Sequence, residues 1–176
     1  VLAAFLPIFA EYFIKDKKQV WEMTNYVLNL FLFLIILASL TFFVLTPWLM
    51  RFIIPGLAPE DKMAAIALTR LLFLSPIFFG ISNIISGILH YFNRFLVYSL
   101  APVIYNLGII FGILVLTPYF GIFGAGLGVI LGAFLHLCVQ IPSVFNCGFR
   151  YRLLLSFRHP AIKRIFVLML PRIFSV

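Results

Sequence analysis

Acidic residues are scarce in this chain, and none lies beyond residue 61. The 176 residues include thirteen lysines and arginines but only five acids. The five acids are Glu11, Asp16, Glu22, Glu60 and Asp61. Residues 62–176 therefore cannot supply a carboxylate pair for general acid–base catalysis, or a proton relay built from membrane Asp and Glu.

Metal-ligating and nucleophilic residues are also few. The two cysteines, Cys138 and Cys147, match no metal-ligand spacing and do not form a disulfide framework. The three histidines, His90, His136 and His159, lie far apart and include no HExxH-type pair. No nucleophile elbow, phosphate-binding loop or dinucleotide fingerprint is present. The sequence therefore predicts a protein that is not an enzyme and that holds no metal and no cofactor.

Charge of either sign is sparse, and apolar residues dominate. Charged residues make up 10% of the chain and hydrophobic residues 64%, with a mean hydropathy of +1.18. Soluble domains average about 25% charged and about 45–50% apolar residues. Apolar runs of membrane-spanning length recur, since about 20 helical residues cross a ~30 Å hydrocarbon core. We predict an all-α polytopic membrane protein, a helical bundle, with residues 1–176 as one transmembrane region.

The apolar runs predict six membrane segments, of which the first and last are partial. They are residues 1–14 (partial), 27–49, 63–89, 95–116, 122–145 and 165–176 (partial). The fourth and fifth contain no charge and are joined by a short link at 117–121, which predicts a helical hairpin. Polar connectors are expected at 15–22 and at 148–164. Because the chain starts at Val1 and ends inside an apolar run, we expect a fragment of a longer protein.

Prolines lie in or beside almost every predicted span: Pro47, Pro76, Pro102, Pro142 and Pro171. Each removes a backbone donor and permits bending. We expect Pro76 to kink the span 63–89 and Pro171 to interrupt the last span. This pattern favours a transporter that alternates between conformations over a rigid anchor.

Basic residues lie mostly on one side of the predicted spans. The alternate connectors place two of them, Arg51 and Lys62, on one side, while Arg70 and Arg172 lie within spans. The other side receives Lys15, Lys17, Lys18, Arg94, Arg150, Arg152, Arg158, Lys163 and Arg164. Positive charge favours the cytoplasmic side, so we expect the 148–164 loop to be cytoplasmic. Topology and anionic membrane lipids explain the net charge of +8, and no nucleic acid partner is expected.

The two arginines within spans are candidate substrate-binding residues, because a cation in a membrane helix is costly. Arg70 lies about 10 Å of helix rise from Met63, so the alternative is that its side chain snorkels to the interface. Arg172 follows Pro171, and discontinuous helices often mark transport sites. If functional, both arginines would attract an anionic group such as a diphosphate.

A stripe of glycines marks the predicted hairpin. Gly124, Gly128 and Gly132 recur every four residues and share one helix face, and Gly108 and Gly112 repeat the spacing in the preceding helix. Small residues at this spacing let membrane helices approach closely, so we assign these five glycines to helix packing.

Three amide or imidazole side chains interrupt the hairpin helices. His136 and Gln140 continue the glycine stripe, and Asn106 lies in the preceding helix. Asn106 and Gln140 are candidates for substrate binding. The alternative for both is an interhelical hydrogen bond.

Eight phrases along the chain resemble the MurJ/MviN family, the lipid II flippases of the MOP (multidrug/oligosaccharidyl-lipid/polysaccharide) exporter superfamily. They are LPIFAEY (6–12), PWLMRFIIPGL (47–57), LTRLLFLSPIFF (68–79), SGILHYFNRF (86–95), LAPVIYNLGII (100–110), GAGLGVILGAFLHLCVQIP (124–142), GFRYR (148–152) and LMLP (168–171). The resemblance implies one incomplete lobe of a fourteen-helix transporter, from the end of its helix 2 to the start of its helix 7.

The resemblance also implies a function in cell wall biosynthesis. The expected activity is translocation of lipid-linked peptidoglycan precursor from the cytoplasmic to the periplasmic leaflet of the bacterial inner membrane. The partners would be an anionic lipid II-like substrate, membrane lipids and proteins of the wall-synthesis machinery. Two alternatives remain: another MOP-type exporter, for a polysaccharide-linked lipid or a drug, and a non-transporting scaffold of the wall-synthesis machinery.

Overall fold

The chain folds into helices joined by short turns. The computed structural model describes residues 2–56, 58–154 and 160–174, and within these ranges it contains no strand. The helices are α1 (Leu2–Lys15), α2 (Lys17–Ile53), α3 (Pro59–Leu72), α4 (Ser75–Tyr91), α5 (Phe95–Phe111), a π-helical turn (Gly112–Leu116), α6 (Thr117–Phe120), α7 (Ile122–Cys138), α8 (Ile141–Asn146) and α9 (Pro160–Phe174).

Four helical segments in the described ranges are long and apolar enough to cross a membrane. They are Lys17–Ile53, Pro59–Tyr91, Phe95–Phe120 and Ile122–Asn146, with mean window hydropathies from 1.9 to 2.7. The predicted all-α membrane class is confirmed. The expected spans 27–49, 63–89, 95–116 and 122–145 fall inside these segments, and the points where the chain enters and leaves the bilayer stay a prediction.

The connector expected at 15–22 is helical from Lys17 onward, because α2 begins there. Asp16 alone separates α1 from α2, and its Oδ1 accepts a hydrogen bond from the Lys18 N–H at 2.8 Å. This is N-capping geometry, in which a short acidic side chain satisfies an orphan donor of the first turn. Val20 and Met23 are fully buried, so packing fixes these polar turns as helix.

Two spans are broken one turn before a proline. The break between α3 and α4 lies at residues 73–74, ahead of Pro76, and that between α7 and α8 lies at 139–140, ahead of Pro142. A proline leaves the carbonyl four residues earlier without its helical donor, which explains the position of each break. At the first break the helical pattern gives way to i→i−3 bonds, such as Leu74 N–H to Leu71 O at 3.3 Å. The kink predicted at Pro76 is therefore a break that precedes it.

The remaining boundaries also differ from expectation. The link predicted at 117–121 is helical up to Phe120, and the reversal depends on Gly121, whose φ of 57° favours glycine. In the loop predicted at 148–164, residues 148–154 are non-helical, 155–159 lie outside the described residues, and α9 already begins at Pro160. The α9 backbone is helical through position 171, so the interruption predicted at Pro171 is wrong.

The chain divides into two compact units. Unit 1 comprises Val1–Phe33, Gly80–Leu100 and Cys138–Val176, and unit 2 comprises Leu34–Phe79 and Ala101–Leu137. Unit 1 contains a cluster of aromatic rings at centroid spacings of 5–6.5 Å, which fits the edge-to-face preference of aromatic pairs. The rings are those of Phe5, Phe9, Phe13, Trp21, Tyr91, Phe92 and Phe149.

In unit 2 the helices are in close contact at glycines. A Cβ built on Gly112 would collide with the Cα of Gly128, and one built on Gly108 would collide with the Cα of Gly132. The same construction on Gly124 collides with the backbone at residues 116–117. The backbones of α5, the π-helical turn and α7 therefore touch directly, as small residues at i, i+4 spacing permit in lipid.

Candidate functional site

Unit 2 contains a cavity of about 570 Å³ between α2, α3 and α4. Its wall is apolar except for the side chains of Ser39 and Arg70. The lining residues are Ile36, Ser39, Leu40, Phe43, Ala67, Arg70, Leu71, Phe73, Leu74 and Ile77. A mostly apolar cavity with one or two polar groups is the common form of a small-molecule site.

Arg70 is fastened to α2 by one nitrogen. Its Nε donates to the Phe43 carbonyl at 3.1 Å, and its guanidinium carbon lies 4.8 Å from the centre of the Phe43 ring. Pro47 lies four residues after Phe43 inside α2 and has no N–H to give to that carbonyl. In a membrane the freed carbonyl needs another donor, and Arg70 supplies it.

The rest of the Arg70 guanidinium remains available. The group has five N–H donors, and among the residues that the structure describes only its Nε finds an acceptor. No carboxylate within the described ranges pairs with it, since both ion pairs found there involve Glu11. Arg70 therefore presents a cation with unused donors to an apolar cavity, and this arrangement suits a molecule with an anionic group and a hydrocarbon part.

Gln140 is fully buried in unit 1 and lies between two serines of α4. Its Nε2 donates to Ser82 Oγ at 2.7 Å, and its Oε1 accepts from Ser86 Oγ at 2.8 Å. These are the interhelical hydrogen bonds that the sequence offered as the alternative to substrate contact. Because Gln140 lies in the α7–α8 break, these bonds tie the broken segment to α4.

Asn106 and His136 are not among the residues that line this cavity. Asn106 is exposed, and its Nδ2 donates to Pro102 O at 2.9 Å within its own helix. The His136 ring packs on Phe79 at 5.3 Å. Arg172 belongs to α9, but its side chain lies outside what the structure describes.

Two buried amides were not among the residues predicted from the sequence. Asn25 and Asn29 of α2 are 1% and 3% exposed and hold the non-helical segment 150–154. Asn25 Oδ1 accepts from the Arg152 N–H at 2.7 Å, and its Nδ2 donates to Arg150 O at 3.0 Å. Asn29 Nδ2 donates to Arg152 O at 2.9 Å and Leu154 O at 3.0 Å. The only sequence signal was their i, i+4 spacing on one face of α2.

Comparison with known proteins decides what this fold is. The family model described as "Lipid II flippase MurJ" matches residues 1–176, the whole of the chain. The chain belongs to the MurJ family. Among curated MurJ proteins, the lipid II flippase of Burkholderia cenocepacia is 26% identical over 137 residues, covering 73% of this chain and 27% of that protein. The probable flippase of Borreliella burgdorferi is 26% identical over 156 residues, covering 89% of this chain and 31% of that protein.

A solved MurJ structure shares the fold. The structure "Lipid II flippase MurJ, inward closed conformation" superposes with a TM-score of 0.80 at 23% identity, over 99% of this chain and 36% of that one. The chain thus spans about a third of the length of the MurJ proteins it matches. MurJ is named as a transporter rather than a catalyst. In the part of this chain that the structure describes, no three His, Cys, Asp or Glu side chains group as a metal site would require.

Proposed function

We propose that this chain forms part of a flippase that moves a lipid II-like, lipid-linked peptidoglycan precursor across the bacterial inner membrane, from the cytoplasmic to the periplasmic leaflet. The observation that carries this proposal is the MurJ family match over residues 1–176, together with the matching helical fold. Four apolar helical segments support a multi-pass position in the membrane. The charge bias supports a cytoplasmic side for the loop predicted at 148–164.

In this proposal Arg70 contacts the substrate. Its unused guanidinium donors suit the diphosphate of a lipid-linked sugar, because phosphate oxygens accept paired N–H donors. The apolar wall, from Ile36 to Ile77, suits hydrocarbon next to that group. Arg172 and Asn106 remain candidate contacts on α9 and α5. Gln140 is weaker on geometry, because both ends of its amide already bind serines.

Movement of the substrate requires two conformations with different access to the cavity. The helix breaks ahead of Pro76 and Pro142, and the π-helical turn at Gly112–Leu116, are the places where these spans depart from regular α-helix. Such departures absorb bending at little further cost, since the regular hydrogen bonds are already missing there. Proteins of the wall-synthesis machinery are proposed as partners.

Complementation tests the proposed function. The complete gene is expressed in a bacterium whose own lipid II flippase can be depleted, and growth is followed after depletion. We expect sustained growth and normal cell shape. An immunoblot of the membrane fraction confirms that the protein is present. Lysis at the rate of the empty-vector strain, with the protein present in the membrane, would contradict the proposal.

A further inference from the structure

A second cavity, in unit 1, is lined by charge rather than by hydrocarbon. It measures about 150 Å³ and lies between the first turns of α2 and the segment that follows α8. The lining residues are Lys18, Trp21, Glu22, Asn25, Gly148, Arg150 and Arg152. Three of the seven are cationic and one is acidic, so the pocket is a cation-rich site separate from the Arg70 cavity.

The backbone that carries the two arginines is held in place. Gly148 has a φ of 95°, which turns the chain back after α8 and favours glycine. The buried side chain of Asn25 then binds Arg150 O and the Arg152 N–H, and Asn29 binds Arg152 O. These bonds fix the main chain on both sides of residue 151, so Arg150 and Arg152 start from a preorganised position.

The charges of this pocket are not neutralised internally. Within the described ranges no salt bridge joins Lys18, Arg150 or Arg152 to Glu22 or to any other carboxylate. All three cationic side chains are exposed. An anion would find three positive groups on a fixed frame, beside the polar end of an apolar helix and beside Trp21, a residue type enriched at the headgroup level of membranes.

We propose that this pocket binds the phosphate group of an anionic membrane lipid. Basic pockets next to membrane helices bind phosphate headgroups, because each cation attracts the surface charge of the leaflet and its N–H donors satisfy phosphate oxygens. The bound lipid lies at the end of α2 near Lys18. Its binding to this pocket does not require that the protein be a flippase.

Tryptophan fluorescence of the purified protein tests this proposal. Trp21 lies in the pocket, so the emission of the protein minus that of its Trp21→Phe variant reports on this site, whatever other tryptophans the complete protein contains. Dihexanoyl phosphatidylglycerol is titrated into the protein in neutral detergent, with dihexanoyl phosphatidylcholine and inorganic phosphate in parallel. We expect a saturable change in Trp21 emission with phosphatidylglycerol and no saturation with phosphatidylcholine. Equal responses to the two lipids would overturn the proposal.

Paired charge variants separate the pocket from general electrostatics. Arg150→Gln with Arg152→Gln should weaken phosphatidylglycerol binding by about tenfold or more. Arg51→Gln with Lys62→Gln removes the same charge outside the pocket and should leave the affinity within about twofold. Equal losses in the two double variants would overturn the site. Saturation by inorganic phosphate as tight as by the lipid would support a phosphate site but overturn the lipid as its occupant.

A third variant should bind the lipid more tightly, and a misfolded protein could not produce that result. Glu22 is the one carboxylate among the lining residues, and it repels an incoming phosphate. Glu22→Gln should therefore tighten phosphatidylglycerol binding by a few fold, which a damaged fold would not do. Unchanged or weaker binding by this variant would contradict the proposed position of the phosphate.

Discussion

Unit 1 is held by large buried side chains and by amides, whereas unit 2 is held by glycine contacts and carries an open apolar cavity. The largest fully buried side chains of the described residues, among them Phe5, Phe9 and Met23, all belong to unit 1. The buried positions on α7 in unit 2 are mainly glycines, with Ala133 and Leu137. The amides of Asn25, Asn29 and Gln140 add their directional bonds to unit 1.

This difference separates two ways of building a membrane bundle. Interlocked aromatic rings and buried amides specify one arrangement, because each polar group left without its partner is costly. Direct backbone contact at glycines relies on shape alone and tolerates no added atom, but it leaves few directional bonds to break when helices bend. The candidate substrate cavity and the π-helical turn both lie in unit 2, where the described residues form fewer buried side-chain hydrogen bonds.

The strongest way to break unit 2 is to add one methyl group at its glycine contact. Gly112→Ala places a Cβ against the Gly128 backbone, with Gly124 O at 2.8 Å, and no flexible side chain can yield there. We expect a loss of about 3 kcal/mol or more, seen as a fall of about 6–12 °C in the thermal unfolding midpoint in detergent.

Gly56→Ala is the matched control for that substitution. Gly56 is also in unit 2, but a Cβ built there meets nothing within 4 Å. Its unfolding midpoint should stay within about 2 °C of the parent value, since surface changes are usually within about 0.5 kcal/mol. Equal midpoints for the two alanine variants would show that the glycine contact does not support unit 2.

The glycine contact was predictable from sequence, whereas the amide contacts were not. Membrane-length apolar runs are local patterns, and they predicted the helices. The i, i+4 spacing of Gly124, Gly128 and Gly132 is also local, and it predicted the helix face that packs closely. Asn25 binds the main chain of a segment about 125 residues away, and main-chain partners leave no trace in residue types. The donor from Arg70 to Phe43 O spans 27 residues and has meaning only through Pro47. Sequence therefore located Arg70 but missed its structural partner.

The predicted helix boundaries differ from the observed ones for a related reason. Proline was read as a kink at its own position, but the bond it removes belongs to a carbonyl one turn earlier, which is where the breaks ahead of Pro76 and Pro142 lie. The polar residues 15–22 gave no sign of a packed helix, because the one side chain among them that is fully buried, Val20, is buried only once the tertiary structure forms.

Removing a buried amide of unit 1 should cause an intermediate loss of stability. Asn29→Ala removes two donors to main-chain carbonyls and the acceptor of the Tyr151 hydroxyl, which lies 2.8 Å from Asn29 Oδ1. We expect a loss of about 2 kcal/mol, or about 4–8 °C in the unfolding midpoint. Trypsin should also cut after Arg150 and Arg152 several-fold faster, because their main chain is no longer held.

Asn106→Ala removes an amide in unit 2 for comparison. That side chain is exposed and makes one bond within its own helix, so its loss should cost about 0.5 kcal/mol or less and leave the tryptic pattern unchanged. If this variant unfolded as early as Asn29→Ala, the contrast between the amides of the two units would be lost.

The smallest expected effect concerns the hydrogen bond that the Arg70 side chain of α3 donates to α2. Arg70→Leu leaves Phe43 O without a donor and should cost about 1 kcal/mol, or about 2–4 °C. In a Pro47→Ala background the backbone N–H of residue 47 can reach that carbonyl, so the same substitution should cost almost nothing. Thermal unfolding of the four proteins gives the coupling energy directly. Equal costs in both backgrounds would show that Arg70 does not replace the donor that Pro47 lacks.

The same double variant separates the two roles of Arg70. With Pro47→Ala the backbone bond no longer depends on arginine, so Arg70→Leu with Pro47→Ala should be as stable as Pro47→Ala alone. If the remaining guanidinium donors bind the diphosphate of the substrate, the double variant should nevertheless fail to sustain growth in flippase-depleted cells, while Pro47→Ala alone succeeds. Growth of both strains at the same rate would leave Arg70 with a purely structural role, and the substrate contact would then have to lie elsewhere in the protein.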